Sequence, residues 1–271
     1  MSIQGFKFKE NNNYFMPVSL MTPGKNERNA LVGAHYGENR RFSISYLTDY
    51  DALAALLPPG FVPTEPAMIT VTYAMCRDVE YMAGGGYNLL DVDAHVKFEG
   101  KQDRAEGCYG LVIWMDKFYP ILLGRELLGA AKLMAEVPDI RTINDRKSFF
   151  AAEDGTRLLE GEVWDLKEKT AKEIEQMEKD SEGKCWLGYK HFPAVDLKGA
   201  DISYATYLPT SNVIKRAWSA QGSLQFHDVP WEKAPLSSSV ASVLKRLPIK
   251  EYVGASAQID SCIYMPNRKL L

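Results

Sequence analysis

Cysteine is scarce in this chain of 271 residues, which has four copies and no CxxC pair. The wide spacing of Cys76, Cys108, Cys185 and Cys262 argues against a zinc knuckle or a disulfide framework, and we interpret them as reduced thiols. The four histidines show neither HExxH nor any other paired spacing typical of a metal site. We therefore expect no metal and no other cofactor.

An excess of positive charge is also missing, because 32 Lys and Arg residues stand against 35 Asp and Glu residues, for a net charge of -3. A chain with this balance has little general attraction for a phosphate backbone, so nucleic acid is not an expected partner. No uncharged apolar window reaches the length of about eighteen residues that suggests a membrane helix, and the N-terminus lacks an apolar segment after its lysines. We expect a cytoplasmic protein without a membrane partner.

What the chain does contain is apolar mass, since 46% of its residues are hydrophobic and 25% are charged. This composition is typical of a globular protein with a substantial core. The length is slightly above the size at which one core usually suffices, and no internal repeat or low-complexity tract divides the chain. We predict one domain over residues 1–271.

Most of the secondary-structure signals are strand-like. Segments that alternate or cluster β-branched and aromatic residues are RFSISYLT, AMITVTYAM, DAHVKFEG, YGLVIWM, ISYATYLPT and SAQGSLQF. Helices are expected over 48–61, in the segment after Gly124, and over the charged run 165–180, which we interpret as a solvated excursion. Strands that outnumber helices without regular βα alternation predict an α+β fold with a mainly antiparallel, cone-like or barrel-like sheet.

One lysine stands among glycine, alanine and leucine in the segment ILLGRELLGAAKLMAEV, residues 121–137. An ordinary lysine has a pKa near 10.4, so only about 0.04% of it is the neutral amine at pH 7. Burial in an apolar site lowers the pKa by roughly 3 to 5 units, which would make Lys132 a nucleophile towards ketones. If the segment is helical, however, Glu136 lies one turn on and would keep Lys132 charged. Spacing alone leaves both interpretations open, an exposed helical lysine and an imine-forming lysine.

The segment GRELLGAAK resembles the signature of the acetoacetate decarboxylase superfamily. Gly124, Arg125 and Glu126 match its glycine-arginine-glutamate triplet, and Lys132 stands at the spacing of the lysine that forms an imine with a keto acid. The resemblance covers nearly the whole chain, and further segments similar to that family are YLTDYDALAALLP, EPAMITVTYAM, RAWSAQGSLQF and LPIKEYVGASAQIDSCIYMP. It implies an acetoacetate decarboxylase-like fold and a nucleophilic Lys132, activated by desolvation or a neighbouring cation as in acetoacetate decarboxylase itself.

The chain departs from that family at positions that act on the lysine and on the substrate carboxylate. Leu133 stands where decarboxylases have a second lysine, so Lys132 would depend mainly on burial for a low pKa. Simple alignment puts Val71 at the first of two pocket glutamates, and Asn88 or Leu89 at the second. Because neither acid is kept, we expect aldolase- or dehydratase-type chemistry on a 2-oxo acid such as pyruvate. The alternatives are a true decarboxylase of acetoacetate or a related 3-oxo acid, and a binding protein without turnover.

Four residues are candidates for substrate binding. The resemblance implies that Arg40 or Arg41 supplies the arginine that pairs with the substrate carboxylate. Arg125, in the triplet, and Trp218, on a segment similar to the family's tryptophan-bearing strand, are further candidates. Each has a structural alternative, which is an ion pair for Arg125 and, as the favoured interpretation, packing in the core for Trp218.

Three residues are candidates for moving protons near the imine, namely Glu126, Tyr87 and Tyr264. Each has a structural alternative, since Glu126 could form an ion pair and each tyrosine could pack with its hydroxyl in water. The expected partner is a small oxo acid. Association into a homo-oligomer is implied by the family alone.

Overall fold

The computed structural model describes residues 7–8, 14, 16, 34–264 and 267–271. The N-terminal segment, in which the sequence shows no apolar segment after the lysines, lies mostly outside these residues. None of the helices in the described ranges combines the length and the apolar composition needed to cross a membrane.

The described part of the chain is built mainly from strands. These are β1 (Ala34–Leu47), β2 (Phe61–Pro63), β3 (Met68–Val79), β4 (Tyr87–Glu99), β5 (Arg104–Met115), β6 (Lys132–Met134), β7 (Arg141–Ile143), β8 (Arg146–Glu153), β9 (Thr156–Glu168), β10 (Cys185–Pro193), β11 (Ala200–Leu208), β12 (Thr210–Phe226), β13 (Glu251–Tyr264) and β14 (Arg268–Lys269). The helices are α1 (Tyr50–Ala54), α2 (Phe118–Leu123), α3 (Ala171–Ser181) and α4 (Ser238–Arg246), with a 3-10 turn at Glu80–Met82 and a π-helical turn at Gly124–Leu128. Strands and helices do not alternate regularly, and the predicted α+β class is confirmed.

The 14 strands of the described residues belong to one sheet, in the order β14-β11-β10-β5-β4-β3-β1-β13-β12-β9-β8-β7, with β2 beside β4 and β6 beside β5. Neighbouring strands are mainly antiparallel, whereas β10 and β6 each pair with β5 in parallel. Predominantly antiparallel pairing is the arrangement that the sequence predicts. Strand β5 therefore carries β6, the short strand that begins with Lys132.

One face of the sheet, which we call the apolar face, forms the main hydrophobic core. Successive side chains of a strand point to opposite faces, so alternate residues share a face. Its buried residues include Phe42, Ile44 and Tyr46 on β1, Ile69, Val71 and Tyr73 on β3, and Leu90, Val92 and Ala94 on β4. Leu53 of α1 and Leu244 of α4 belong to the same cluster, so these two helices cover the apolar face.

The opposite face is rich in hydrogen-bonding side chains, and we call it the polar face. Residues that alternate with the core residues are Arg41, Ser43 and Ser45 on β1, Thr70 and Thr72 on β3, and Asp91, Asp93 and His95 on β4. Hydrogen bonds of 2.8 to 2.9 Å between hydroxyl groups join β1 to β3 across this face. A smaller hydrophobic cluster at one end of it includes Cys76, Tyr87, Ile113 and Cys262 from the sheet and Ile121 from α2.

The charged run forms a helix that is shorter than predicted. Helix α3 begins at Ala171, because the residues up to Glu168 continue strand β9. Thr170 is the N-cap of the helix and forms a capping box with Glu173. Pairing of β9 with β12 thus outweighs the helix propensity of the first charged residues.

The helix expected after Gly124 is short and does not reach Lys132. Helix α2 precedes Gly124, and the π-helical turn that follows ends at Gly129, which has a φ of 68°. Glycine adopts this left-handed conformation at little cost, and it ends the helical turn before Lys132. Lys132 therefore begins a strand, and Glu136 accepts a hydrogen bond from the backbone N–H of Gly155 instead of lying one helical turn from the lysine.

A matched pair of isoleucines tests which face carries the core. Ile69 is fully buried on β3, whereas Ile143 on the edge strand β7 is 70% exposed. We expect Ile69→Ala to lower the free energy of unfolding by about 2 to 5 kcal/mol, and Ile143→Ala by about 0.5 kcal/mol or less. Urea titration followed by circular dichroism measures both values. Equal losses would contradict the assignment of the core to the apolar face.

Candidate active site

Lys132 is directed into the protein by the sheet. It pairs with Ile113 of β5, and paired residues of neighbouring strands share a face. Ile113 belongs to the smaller hydrophobic cluster on the polar face, together with Cys76 and Tyr87. Lys132 is half-buried as a result, and its side chain lies beside apolar groups.

The glycine-arginine-glutamate triplet holds this lysine at its side chain and at its backbone. A Cβ atom added at Gly124 would lie 2.5 Å from Cδ and Cε of Lys132 and 2.6 Å from Nζ, so a larger residue would displace the end of the lysine side chain from this position. Nζ donates a hydrogen bond of 3.0 Å to the carbonyl oxygen of Pro120 in α2. The exposed Arg125 donates to the backbone carbonyl of Lys132 at 3.0 Å. Arg125 therefore acts on the lysine's backbone in this structure.

Burial lowers the pKa of Lys132 to about 8. Asp91 and Cys76 oppose this lowering of the pKa, because negative charge nearby favours the ammonium form. At pH 7 an amine with this pKa is about one-tenth neutral, roughly 200 times the neutral fraction of an ordinary lysine. Lys132 is thereby available as a nucleophile near neutral pH, which imine formation requires.

Two aspartates of β4 join the lysine on the polar face, and neither is among the candidates that the sequence suggested. The strand register places Asp91 opposite Ile113, which is itself opposite Lys132. Asp91 and Lys132 are thus two strands apart on one face, a backbone separation of about 10 Å that the lysine side chain and a small substrate can span. Asp93 lies on the same face as Asp91, because side chains alternate along a strand.

The surroundings of both carboxyl groups favour their protonated forms. Burial, reinforced by Asp93, raises the pKa of Asp91 well above its usual value, and burial raises the pKa of Asp93 to about 6. A carboxylic acid that keeps its proton near neutral pH can act as an acid or base in catalysis. The polar face therefore combines a reactive amine with groups able to move protons.

Alternation in the segment LLDVDAHV, residues 89–96, is the signal that could have identified the pair. Acidic residues there alternate with buried apolar ones, which places both carboxyl groups on one face of the strand. Alignment instead pointed to Val71, which is in the core on the apolar face, and to Asn88 or Leu89. The amide of Asn88 donates to Asp139, and Leu89 packs against the smaller hydrophobic cluster. The site therefore contains two acidic residues, Asp91 and Asp93, although the aligned positions do not. They lie a few residues further along β4.

The two candidate arginines point to opposite faces, as consecutive strand residues do. The Nε of Arg41 donates to Asp260 at 2.8 Å, and Asp260 is fully buried and accepts two further hydrogen bonds from amide side chains. Arg41 also lowers the pKa of Asp91, which places it in the same site. Arg40 is exposed and pairs with Glu38 on the other side of the strand, so the structure does not bring it to the site.

Tyr87 and Tyr264 lie together at the end of the polar face. The Tyr36 hydroxyl is 3.0 Å from the Tyr87 hydroxyl, and the rings of Tyr36 and Tyr264 meet edge to face at 5.1 Å. Cys76 connects the cluster to the lysine, because it interacts with both Tyr87 and Lys132. Burial raises the pKa of Tyr87 and of Tyr264 well above the usual value, so both hydroxyls keep their protons at neutral pH.

Glu126 and Trp218 are placed differently from these residues. Glu126 is half-buried in the π-helical turn, and its charge acts on Lys190. Trp218 pairs with Ala257 of the main core and packs against that core on the apolar face. The structure therefore does not bring Trp218 to Lys132.

The described residues offer an amine, carboxyl groups and phenols at the site. In the described ranges, no three His, Cys, Asp or Glu side chains are arranged to hold a metal ion. A cavity of about 450 Å³ opens elsewhere, between β8, β9 and β12, and Arg157, Phe149 and Leu224 are among its lining residues. We place the site at Lys132 because the nucleophile and the proton-carrying groups are gathered there.

Known proteins are similar to this chain over most of its length. A family model described as acetoacetate decarboxylase matches residues 16–261. Acetoacetate decarboxylase of Chromobacterium violaceum is 28% identical over 218 residues, which is 80% of each chain. The structure of acetoacetate decarboxylase from Legionella pneumophila superposes with a TM-score of 0.73 at 22% identity, covering 88% of this chain and 87% of that one. The enduracididine biosynthesis enzyme MppR, solved with pyruvate, gives a TM-score of 0.69 at 15% identity, covering 96% and 98%.

Gly124→Ala tests whether the glycine keeps Lys132 in its dry position. The added methyl group would overlap the lysine side chain, so we expect the amine to move towards water and its pKa to return towards 10.5. At about pH 8, acylation of Lys132 by an amine-selective reagent should slow by about 100-fold, because the neutral fraction falls by that factor. Peptide mapping of the acylated protein across a pH series measures the rate at this residue.

Gly254→Ala is the matched control, because a Cβ atom there meets no other atom within 4 Å. The pKa of Lys132 in this variant should stay near 8. An unchanged pKa in Gly124→Ala would show that the glycine is not what positions the lysine.

Lys132→Met tests the energetic cost of the buried amine. The folded pKa of Lys132 lies below its unfolded value, so the unfolded chain binds the proton more tightly and the ammonium destabilises the fold at low pH. Methionine should therefore raise the free energy of unfolding at pH 7 by about 1 to 3 kcal/mol, with the lost hydrogen bond to Pro120 reducing the gain. The gain should shrink as pH rises from about 8 to about 10, where the folded lysine is neutral. Guanidinium titrations of both proteins at several pH values measure it, and a pH-independent difference would contradict a buried amine.

Proposed function

The chain belongs to the acetoacetate decarboxylase family, and we propose that it is a lyase that forms an imine between Lys132 and the ketone of a small oxo acid. The observation that carries this proposal is the amine of Lys132, which burial holds at a pKa of about 8. The match of the family model over residues 16–261 supports the same conclusion, because it includes the triplet and the lysine.

The proposed chemistry begins with the neutral amine. Nζ of Lys132 attacks the ketone carbon, and loss of water leaves a protonated imine. This cation withdraws electrons from the neighbouring carbon, so a bond there can break while its electron pair forms an enamine. The Pro120 carbonyl, at 3.0 Å from Nζ, holds the amine where a ketone must approach it.

The first candidate reaction is aldolase- or dehydratase-type chemistry on a 2-oxo acid such as pyruvate. A base removes a proton next to the imine, and the resulting enamine attacks the carbonyl of an aldehyde. Arg41 supports this candidate. The substrate keeps its carboxylate throughout the reaction, and an arginine, which stays charged, can pair with it at every step. The protonated hydroxyls of Tyr87 and Tyr264 and the likeness to MppR, solved with pyruvate, support it as well.

The second candidate reaction is decarboxylation of acetoacetate or a related 3-oxo acid. Asp91 and Asp93 favour it, because they supply carboxyl groups in a site where alignment had suggested none. Negative charge beside a substrate carboxylate promotes loss of CO2, and a carboxylic acid can then protonate the enamine. The curated relative from Chromobacterium violaceum, named acetoacetate decarboxylase, also supports this candidate.

Borohydride reduction tests the imine directly. Incubation with pyruvate or acetoacetate and borohydride should add the mass of the reduced adduct, and peptide mapping should place the adduct on Lys132. Lys132→Ala should abolish the adduct. Lys190→Ala is the matched control, since Lys190 is another half-buried lysine whose pKa burial lowers, and it should leave the adduct unchanged. An unchanged mass with a panel of oxo acids would contradict imine chemistry and favour a binding protein.

Product analysis separates the two reactions. Release of CO2 from acetoacetate and condensation of pyruvate with an aldehyde are each compared with Lys132→Ala. Condensation without CO2 release supports the first candidate, and CO2 release without condensation replaces it with the second.

A further inference from the structure

Asp91 and Asp93 form a pair of carboxyl groups within a single strand. They lie on the polar face of β4, with Thr72 and Thr70 of β3 as their respective partners on one side. On the other side Asp91 is opposite Ile113 of β5. The two carboxyl groups are therefore neighbours inside the sheet, at the site that holds Lys132.

The hydrogen bonds of this pair are incomplete. Oδ1 of Asp91 and Oδ1 of Asp93 are fully buried, and neither has a hydrogen-bond partner among the described residues. An ionised carboxylate only accepts hydrogen bonds, whereas a protonated one also donates. A single proton between the two groups therefore lets one carboxyl donate to the other, and it removes one of two like charges from a buried site.

The charged and titratable groups around the pair are unevenly distributed. Arg41 of β1 acts on both carboxyls, and Cys108 of β5 also faces them. Trp186 of β10 acts on Asp93 and favours its ionised form. Because the two carboxyl groups interact, they titrate as one pair, and Asp91 is the member on the side of Lys132, whose charge lowers the pKa of Asp91.

We propose that Asp91 and Asp93 share one proton, which Asp91 exchanges with the carbon next to the Lys132 imine. Asp91 is then a catalytic residue, and Asp93 is a positioning residue that acts through it. This inference rests on the proposed function, because it requires the imine. It goes further in assigning one proton carrier to both candidate reactions.

The step balances without any other reactant. When the O–H of Asp91 gives its proton to the enamine carbon, the electron pair of the carbon–carbon double bond forms the new C–H bond. The nitrogen lone pair restores the protonated imine, and Asp91 becomes a carboxylate beside a cation. In reverse, the Asp91 carboxylate removes that proton and starts an aldol reaction. Decarboxylation ends with the forward step, and condensation begins with the reverse one.

Hydrogen exchange at the substrate isolates this step. The methyl hydrogens of pyruvate and of acetone are followed by NMR in deuterium oxide, and borohydride adducts are measured in parallel on the same proteins. Asp91→Asn should slow the enzyme-dependent exchange by about 100- to 10,000-fold while the adduct on Lys132 still forms. Asp91→Glu, which keeps the acid, should recover part of the exchange. Asp201→Asn, at an exposed position on β11, is the control and should change neither readout.

Asp93→Asn tests whether Asp93 acts on the pKa of Asp91. If Asp93 had a purely structural role, this substitution would not shift the pH profile of exchange. Replacing the ionisable neighbour with a neutral amide lowers the pKa of Asp91, so the pH at half-maximal exchange should shift to lower values. An unshifted profile in a folded variant would overturn the positioning role. If Asp91→Asn does not fold, the pH profile of Asp93→Asn still tests whether the two carboxyl groups share a proton.

The two proposals fail in different ways. No adduct in the unsubstituted protein means that the proposed function is wrong and that the proton-sharing pair is wrong with it. An adduct together with undiminished exchange in Asp91→Asn overturns only the role of the pair. Loss of both adduct and exchange in folded Asp91→Asn also overturns it, because Asp91 would then be needed for imine formation and not for the later proton transfer.

Discussion

The exclusion of water from one amine is the constraint on which the rest of the site depends. An ammonium ion is stable in water and unstable in a dry interior, so the pKa of Lys132 stays near 8 only while its surroundings remain packed. Gly124 permits that packing because it has no side chain where its backbone comes closest to the lysine side chain. The Pro120 carbonyl gives the amine one hydrogen-bond acceptor in place of several waters. Burial is the cause that lowers this pKa, as expected from Leu133 at the position where the decarboxylases have a second lysine.

The polar face inside the protein is held by interactions that fix its charges in position. Asp260 is fully buried, and Arg41 together with two amide side chains saturates its oxygens. Removing one member of such an ion pair leaves the other as an uncompensated buried charge. Arg41 and Asp260 are therefore each stable in the interior only while the other is present. Since the guanidinium is fixed before any substrate arrives, its charge can act on Asp91 and on an incoming carboxylate without reorganisation.

The sequence predicted the α+β class and the mainly antiparallel sheet, because strand alternation is a local signal, and the triplet identified Lys132 as the candidate nucleophile. It was wrong about the element that carries Lys132, since a left-handed Gly129 ends the helical turn and pairing with β5 then extends the chain. The aspartates of β4 were missed because counting positions along an alignment does not show which face a residue occupies. Only the register of three strands relates Asp91 to Lys132.

The protonation states of Lys132 and Asp91 depend on each other. An ionised Asp91 would hold the proton on Lys132, and a charged Lys132 would favour the ionised form of Asp91. Burial disfavours both charged forms at once, so it shifts Lys132 towards the neutral amine and Asp91 towards the neutral acid. Once the imine forms and becomes a cation, the balance reverses and an ionised Asp91 is favoured next to it. Neutral Asp91 therefore does not hold the proton on the free amine, and after imine formation the same carboxyl can exchange a proton with the bound substrate. Its neighbour Asp93 sets the pKa of Asp91 and so the ease of that exchange.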